Sequence, residues 1–321
     1  MKHKSKNKIY CIVGIGYHSI DKLIPALTKS GKKIVGFVSR SSKRNNPKYK
    51  RFSNIDMAIK ILPRETVFLI STPPETHYFF INKLIKNKRD IIIEKPILTS
   101  NSQIYILKKV FLKESSNYLI KEAFMYRHSL MFKKSLSFFK NNLKDIKSVN
   151  CYFIIPSITK NSFRNQINIE SSCLYDIGCY VFDYFLSFNL ALKNFKILNV
   201  KLNNKKITSL NFSFNMQNII VNSNIGLGGV YKNSIVIKNI YDKNIEFKNL
   251  FYGRAGNKTI RMGNYEDIFY DKNSFIQMFK EKNQILIFNK KKNYFRIKKV
   301  HEILEKFKQQ LKYYDKNKQF T

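Results

Sequence analysis

Ile91-Ile92-Ile93-Glu94-Lys95-Pro96 is an apolar run that ends abruptly in a carboxylate, an amine and a proline. A short continuous apolar run reads as a strand buried on both faces, which is the habit of parallel sheets. The charged pair that follows must then lie at the carboxyl rim of the sheet, where open parallel sheets bind ligands. Pro96 cannot continue a hydrogen-bonded ladder and fixes the chain as it leaves. An amine desolvated at such a rim has its pKa lowered toward neutrality, which suits Lys95 to proton transfer. Taken alone, the triplet is equally a strand that ends in solvated charges, so its neighbours decide.

Those neighbours alternate. Strands are predicted at 8–13, 33–38, 67–71, 90–93 and 118–121, and helices at 19–29, 55–62, 76–87 and 103–113. Strand–helix alternation over this length predicts a doubly wound parallel sheet, a Rossmann domain over residues 1–122. After residue 122 the rhythm changes. Helices are predicted at 130–141 and 172–188. Strands follow at 149–155, 195–202, 207–215, 218–225, 234–240 and 244–247, without regular helices between them. Two more helices are predicted at 274–279 and 301–314. Residues 123–321 therefore read as an α+β domain with a largely antiparallel open sheet, and the chain as a whole as α/β.

Gly14-Ile15-Gly16-Tyr17 follows the first strand and opens the first helix. Two glycines let backbone turn tightly and approach a pyrophosphate that the helix N-terminus stabilises. Ser19 stands where the full fingerprint has a third glycine, and it is small enough for close packing. At the end of the second strand an acid would bind the ribose 2′-hydroxyl of NAD. Here the chain reads Ser39-Arg40-Ser41-Ser42-Lys43-Arg44, with no acid. Arg40 suits a 2′-phosphate, so NADP is the expected cofactor and NAD the second choice. A basic solvated loop would read the same way. Ser71-Thr72-Pro73-Pro74 ends the third predicted strand and suits a loop under a nicotinamide ribose. His77 follows, either as a helix-start hydrogen bond or as a ligand contact. Asp176 and Tyr180, four positions apart, fall on one helix face with Gly178 between them. With Lys95 they make a carboxylate, phenol and amine set for proton transfer, although an ordinary amphipathic helix would carry the same spacing.

Composition sets the limits. The 321 residues carry 59 Lys+Arg against 21 Asp+Glu, a formal charge of +38. The lysines are spread along the chain among Asn and Ile, as AT-rich coding would produce. Nucleic-acid binding is therefore not expected, while anionic ligands are favoured. Cys11, Cys151, Cys173 and Cys179 form no C-x-x-C pair and no zinc-ligand spacing, so no metal is expected, and a reduced cytoplasmic protein is. The basic start and the apolar 9–13 mimic a signal peptide. That run is too short and breaks at Gly14, and no stretch is long enough to span a membrane.

Taken together, Gly14-x-Gly16, Ser71-Thr72-Pro73-Pro74 with His77, Glu94-Lys95-Pro96, Glu122-Ala123-Phe124-Met125-Tyr126-Arg127, Phe163-Arg164 and Leu174-x-Asp176-x-Gly178-x-Tyr180 resemble one family over essentially the whole chain. It is the glucose–fructose oxidoreductase, inositol dehydrogenase and MocA (Gfo/Idh/MocA) group. The resemblance implies hydride transfer between NAD(P) and a hydroxyl- or carbonyl-bearing carbon of a sugar, sugar nucleotide or polyol. It implies a homo-oligomer formed through the C-terminal sheet. It gives Lys95 and Glu94 to the cofactor, with Lys95 also polarising the reacting oxygen. Asp176 would orient the substrate, Tyr180 would act as general acid/base, and Arg127 and Arg164 would lie on the substrate side. Departures at Ser19, at His128-Ser129 and at Glu170-Ser171-Ser172 leave a second reading, a nucleotide-binding regulator or scaffold without turnover.

Overall fold

A computed structural model describes residues 8–40, 48–112, 119–156, 163–167, 169–203, 206–280 and 290–317. Ser41-Ser42-Lys43-Arg44 lie outside the described residues. The chain forms two compact units. The first is Met1–Met125 with Phe275–Phe295, and the second is Tyr126–Ser274 with Arg296–Thr321. The sequence reading assigned everything after residue 122 to one domain. Here, however, a late segment returns to the first unit.

The first unit holds six parallel strands: β1 (Ile9–Val13), β2 (Lys33–Val38), β3 (Lys50–Phe52), β4 (Val67–Ile70), β5 (Asp90–Ile93) and β6 (Ile120–Glu122). Their order is β3-β2-β1-β4-β5-β6, a doubly wound Rossmann sheet. The apolar runs Cys11–Val13, Val67–Ile70 and Ile91–Ile93 are fully buried, as both-face coverage requires. Each such Ile, Leu, Val or Phe contributes about 1.5–3 kcal/mol of burial. The covering helices are α1 (Ile24–Lys29), α2 (Ile55–Ile61), α3 (His77–Lys86) and α4 (Asn101–Leu112). A widened π turn, Ser19–Leu23, leads into α1, where a regular helix was predicted. It precedes Pro25, which has no N–H to donate inside a helix. Strand β3 was not predicted, because three residues with two charges carry no periodicity signal.

The second unit is built on a mostly antiparallel eight-stranded sheet. Its strands are β7 (Ile146–Ile155), β8 (Leu192–Asn203), β9 (Lys206–Met216), β10 (Ile219–Leu227), β11 (Lys232–Asn239), β12 (Asn244–Lys248), β13 (Gly256–Met262) and β14 (Tyr265–Asp271). The order is β14-β13-β12-β11-β7-β10-β9-β8, with β7 and β10 the one parallel pair. Burial alternates along β9 and β10, so one face is packed. Against that face lies α6 (Cys179–Leu186), buried through Phe185, with α5 (Leu130–Asn142) and α8 (Lys290–Asn317) completing the layer. Rings from sheet and helices interlock: Phe182 lies 5.4 Å from Phe212 and 5.5 Å from Phe307. The remaining helix, α7 (Ser274–Lys280), belongs mainly to the first unit, where Phe279 meets Tyr10 edge-on.

Candidate functional site

In the first unit the strand order reverses between β1 and β4, which opens a crevice at the carboxyl edge. Three backbone bonds set the loops around it: Gly14 N to Val38 O at 3.0 Å, Ser71 N to Val13 O at 2.8 Å, and Glu94 N to Ile70 O at 2.9 Å. Gly14 has φ +93°, and a Cβ there would lie 2.6 Å from Thr72 Cγ2 and 3.1 Å from Ser71 O. The two loops therefore touch at Gly14. At Gly16 a Cβ would meet nothing within 4 Å, so its backbone faces open space. Ile15 is buried between them and Tyr17 is 77% exposed. Ser19 is fully buried and donates its hydroxyl to Gly14 O at 2.7 Å, so this departure from three glycines adds a bond that braces the turn.

These contacts make the two glycines unequal. Gly14→Ala is expected to cost about 1–3 kcal/mol through left-handed strain and the Thr72 clash. Gly16→Ala should leave stability within about 0.5 kcal/mol. Urea midpoints of the two variants check both values.

Ser71, Thr72 and Pro73 are half-buried along the crevice wall. Thr76 donates its hydroxyl to Pro73 O at 2.8 Å and lies 2.6 Å from Thr72 Oγ1. His77 is fully buried, with Nδ1 3.0 Å from Pro96 O and Nε2 2.8 Å from Thr72 O. Burial pushes its pKa down against the pull of those carbonyls and of Glu94. His77 thus ties the β4 loop to the loop after β5.

Glu94 and Lys95 leave β5 half-buried, followed by a cis Lys95–Pro96 peptide and by Ile97, whose N–H donates to Glu122 Oε1 at 2.9 Å. Glu94 Oε1 lies 3.0 Å from His18 Nε2. Burial alone would raise the Glu94 carboxyl; His18, Lys95 and His77 outweigh it and hold it below the ordinary range. His18, edge-on to Phe275 at 5.7 Å, was missed by sequence reasoning. A lone histidine between Tyr17 and Ser19 carries no signal of its own. Ser39 leaves β2 half-buried, with its N–H on Phe52 O at 3.0 Å, and Arg40 is exposed beside it.

In the second unit, Asp176 lies in a π turn, Leu174–Gly178, that runs into α6 and Tyr180. Gly178 admits Ile225 of β10, whose Cδ1 would lie 3.3 Å from an added Cβ. Asp176 is 7% exposed and pairs with Arg164, Nε to Oδ2 at 2.5 Å. That carboxylate, and to a lesser degree Tyr180, hold the Arg164 guanidinium above its ordinary pKa. Lys206 of β9 donates to Arg164 O, and burial lowers its pKa although Asp176 opposes the shift. Lys206 was also missed, because one lysine in so basic a chain has no distinguishing mark. Tyr180 is 8% exposed, its ring against Phe153 at 5.5 Å, Tyr126 at 5.6 Å and Phe251 at 5.8 Å.

Arg127 does other work. Its Nε lies 3.1 Å from Oδ2 of Asp183, a fully buried carboxylate, and its Nη2 donates to Ser187 Oγ at 2.7 Å. Tyr126 donates its hydroxyl to the same Asp183 at 2.6 Å, and Arg296 of α8 completes the cluster. The resemblance implied a substrate-side Arg127; here its guanidinium holds α6 through Asp183 and Ser187. The two departing loops also serve packing. Ser129 caps α5 by accepting from Phe132 N at 3.0 Å, and Ser172 O accepts from Asp176 N at 3.0 Å.

Among the described residues no helix is long and apolar enough to cross a membrane, and no cluster of His, Cys, Asp and Glu could hold a metal ion. A comparison with curated proteins finds no match. Among solved structures, a 3-ketoreductase from Actinomadura kijaniata, in complex with NADP and TDP-benzene, superposes with TM-score 0.77 at 15% identity, covering 93% of this chain and 96% of that one. An oxidoreductase from Thermotoga maritima gives TM-score 0.76 at 18% identity over 94% and 95% of the two chains. An aldose–aldose oxidoreductase from Caulobacter crescentus, complexed with glycerol, gives 0.75 at 12% identity over 94% and 97%. At these identities the likeness is one of fold. Residues 8–120 match the Gfo/Idh/MocA profile, described as the oxidoreductase family with an NAD-binding Rossmann fold. The match to this oxidoreductase family thus covers the Rossmann part of the chain.

Proposed function

We propose that the chain is an NADP-dependent oxidoreductase that moves a hydride between the nicotinamide and a hydroxyl- or carbonyl-bearing carbon of a sugar, sugar nucleotide or polyol. The observation that carries this reading is the crevice at the β1–β4 reversal. Gly14 lets the two loops touch there, Gly16 faces open space, and Glu94 and Lys95 stand at the same sheet edge. A dinucleotide fits this arrangement. Gly14, Ile15, Gly16 and Tyr17 would receive its pyrophosphate, Ser71, Thr72 and Pro73 its ribose, and Ser39 and Arg40 its adenosine end. When bound, NADP supplies or accepts the hydride.

The chain's own residues position the substrate and handle the proton. In this reading Lys95 polarises the reacting oxygen and Tyr180 exchanges the proton with it. Asp176 pairs with Arg164, whose guanidinium couples electrostatically to the phenol. The TDP-benzene complex of the Actinomadura kijaniata ketoreductase supports a nucleotide-linked substrate as the first to try.

Thermal-shift titration tests the cofactor half. NADP at 100 times its Kd should stabilise the protein by about 2.7 kcal/mol, and NAD at equal concentration by much less. Arg40→Ala should narrow the gap by about tenfold in Kd, the worth of one charge-assisted hydrogen bond. Equal shifts with both cofactors would refute the preference, and no shift with either would refute the dinucleotide site.

A further inference from the structure

The geometry points to Arg51 as a second cation for the 2′-phosphate of the bound cofactor, and we infer that it sets the preference together with Arg40. This deepens the NADP reading above and rests on it. Strand β3 is the sheet edge next to β2 and runs parallel to it, with Phe37 opposite Arg51 and Val38 opposite Phe52. The ladder continues one step further, through Ser39 N to Phe52 O at 3.0 Å. The carboxyl ends of the two strands therefore lie side by side, and Arg51 comes to the exit of β2, where the ribose of a dinucleotide is read.

The Arg51 side chain turns back over that exit. Its Nη2 donates to Arg40 O at 3.1 Å, which fixes the guanidinium at the backbone of the residue already assigned to the adenosine end. One bond leaves most of the fork unused. Nε is buried and has no hydrogen-bond partner among the described residues. A buried N–H of a guanidinium without an acceptor is a cost that an arriving anion removes. The planar fork matches phosphate oxygens in pairs, which a lysine cannot do.

The local sequence supplies no competing acceptor. From Ser39 to Phe52 there is no Asp or Glu, so no neighbour along the chain neutralises Arg51 or would claim a ribose 2′-hydroxyl. Lys48 and Lys50 differ from it: each ammonium lies over the ring of a nearby aromatic, Tyr49 at 5.8 Å and Phe52 at 5.6 Å. Arg51 is the basic side chain of β3 that is held at the β2 exit. The rival role is a plain staple between the edge strands, in which the bond to Arg40 O matters and the charge does not.

Titration calorimetry with NADP and with NAD, at one fixed salt concentration, separates these roles. Arg51→Gln keeps a donor for Arg40 O and removes the charge. It is expected to weaken NADP about tenfold and to leave NAD within about twofold. Arg51→Lys keeps the charge without the fork and should fall between, which preserves the test if the glutamine variant does not fold. If the wild type prefers NADP and both variants keep its NADP/NAD ratio, Arg51 is a staple and this inference is overturned while the cofactor reading stands. A wild type that binds both cofactors equally overturns the two together.

Discussion

Lys95→Ala and Tyr180→Phe should each lower turnover by about 10²- to 10⁴-fold while the chain stays folded, the range for losing a positioned proton-transfer group. Tyr180→Phe is the cleaner of the two. It removes one oxygen and keeps the ring that packs against Phe153, Tyr126 and Phe251, so melting temperature should hardly move. A free phenol titrates near 10, so its work near neutral pH needs a cation close by. Within the second unit Arg164, paired with Asp176, couples electrostatically to that phenol. Lys95→Ala also strips Glu94 of one of the charges that keep its carboxyl ionised, so part of its effect runs through the cofactor side. The measurement is single-turnover hydride transfer across a carbohydrate and nucleotide-sugar panel, with circular dichroism as the folding control. Wild-type rates in both variants would sink the assignment. Intact NADP binding by a wild type that turns over nothing on that panel would favour a regulator that has kept the fold.

The second large effect is one of stability. Asp183→Ala should destabilise the chain by about 3–5 kcal/mol, the cost of breaking a buried ion pair from one side. Asp183 has no exposure and holds three partners: the Tyr126 hydroxyl, Arg127 and Arg296. Removing it takes away the acceptor that Asp183 gives the Tyr126 hydroxyl and the charge it sets against two guanidinia. The Arg296 side chain is the more buried of the two, 11% exposed against 30% for Arg127. Asp183→Asn keeps an acceptor for Tyr126 and should lose roughly half as much. Urea denaturation with the slope monitored checks both values. A loss under about 1 kcal/mol for the alanine variant would show that Arg127 is not committed to the core.

The parallel sheet was legible because its three central strands are apolar runs with charges only at their ends, and Glu94-Lys95-Pro96 marks one such end. The crevice glycines were legible for the same reason, since they follow a strand and open a helix. Local pattern failed where the partner is distant in sequence. Nothing around Lys50-Arg51-Phe52 announces a strand, because β2 supplies the pairing. The β13–β14 hairpin was missed despite a visible cue. Met262 pairs with Tyr265 across Gly263-Asn264, with Gly263 at φ +60°, a two-residue turn whose charged flanking strands hid the alternation. Helix α8 was predicted only from residue 301, because Lys290-Lys291-Lys292 masked its start. Spacing put Asp176 and Tyr180 on one helix face, and their roles came from the family resemblance. That Asp176 is matched by Arg164, and Arg127 by Asp183, could not be read from spacing, because both pairs are made by folding.

The late return of Phe275 and Phe279 to the first unit bears on how this protein can be dissected. A fragment cut after Met125 would lack the ring that meets His18 and the ring that meets Tyr10, leaving an apolar scar beside the first strand. A minimal dinucleotide-binding piece would have to be assembled by splicing the two distant stretches, since no single truncation yields it.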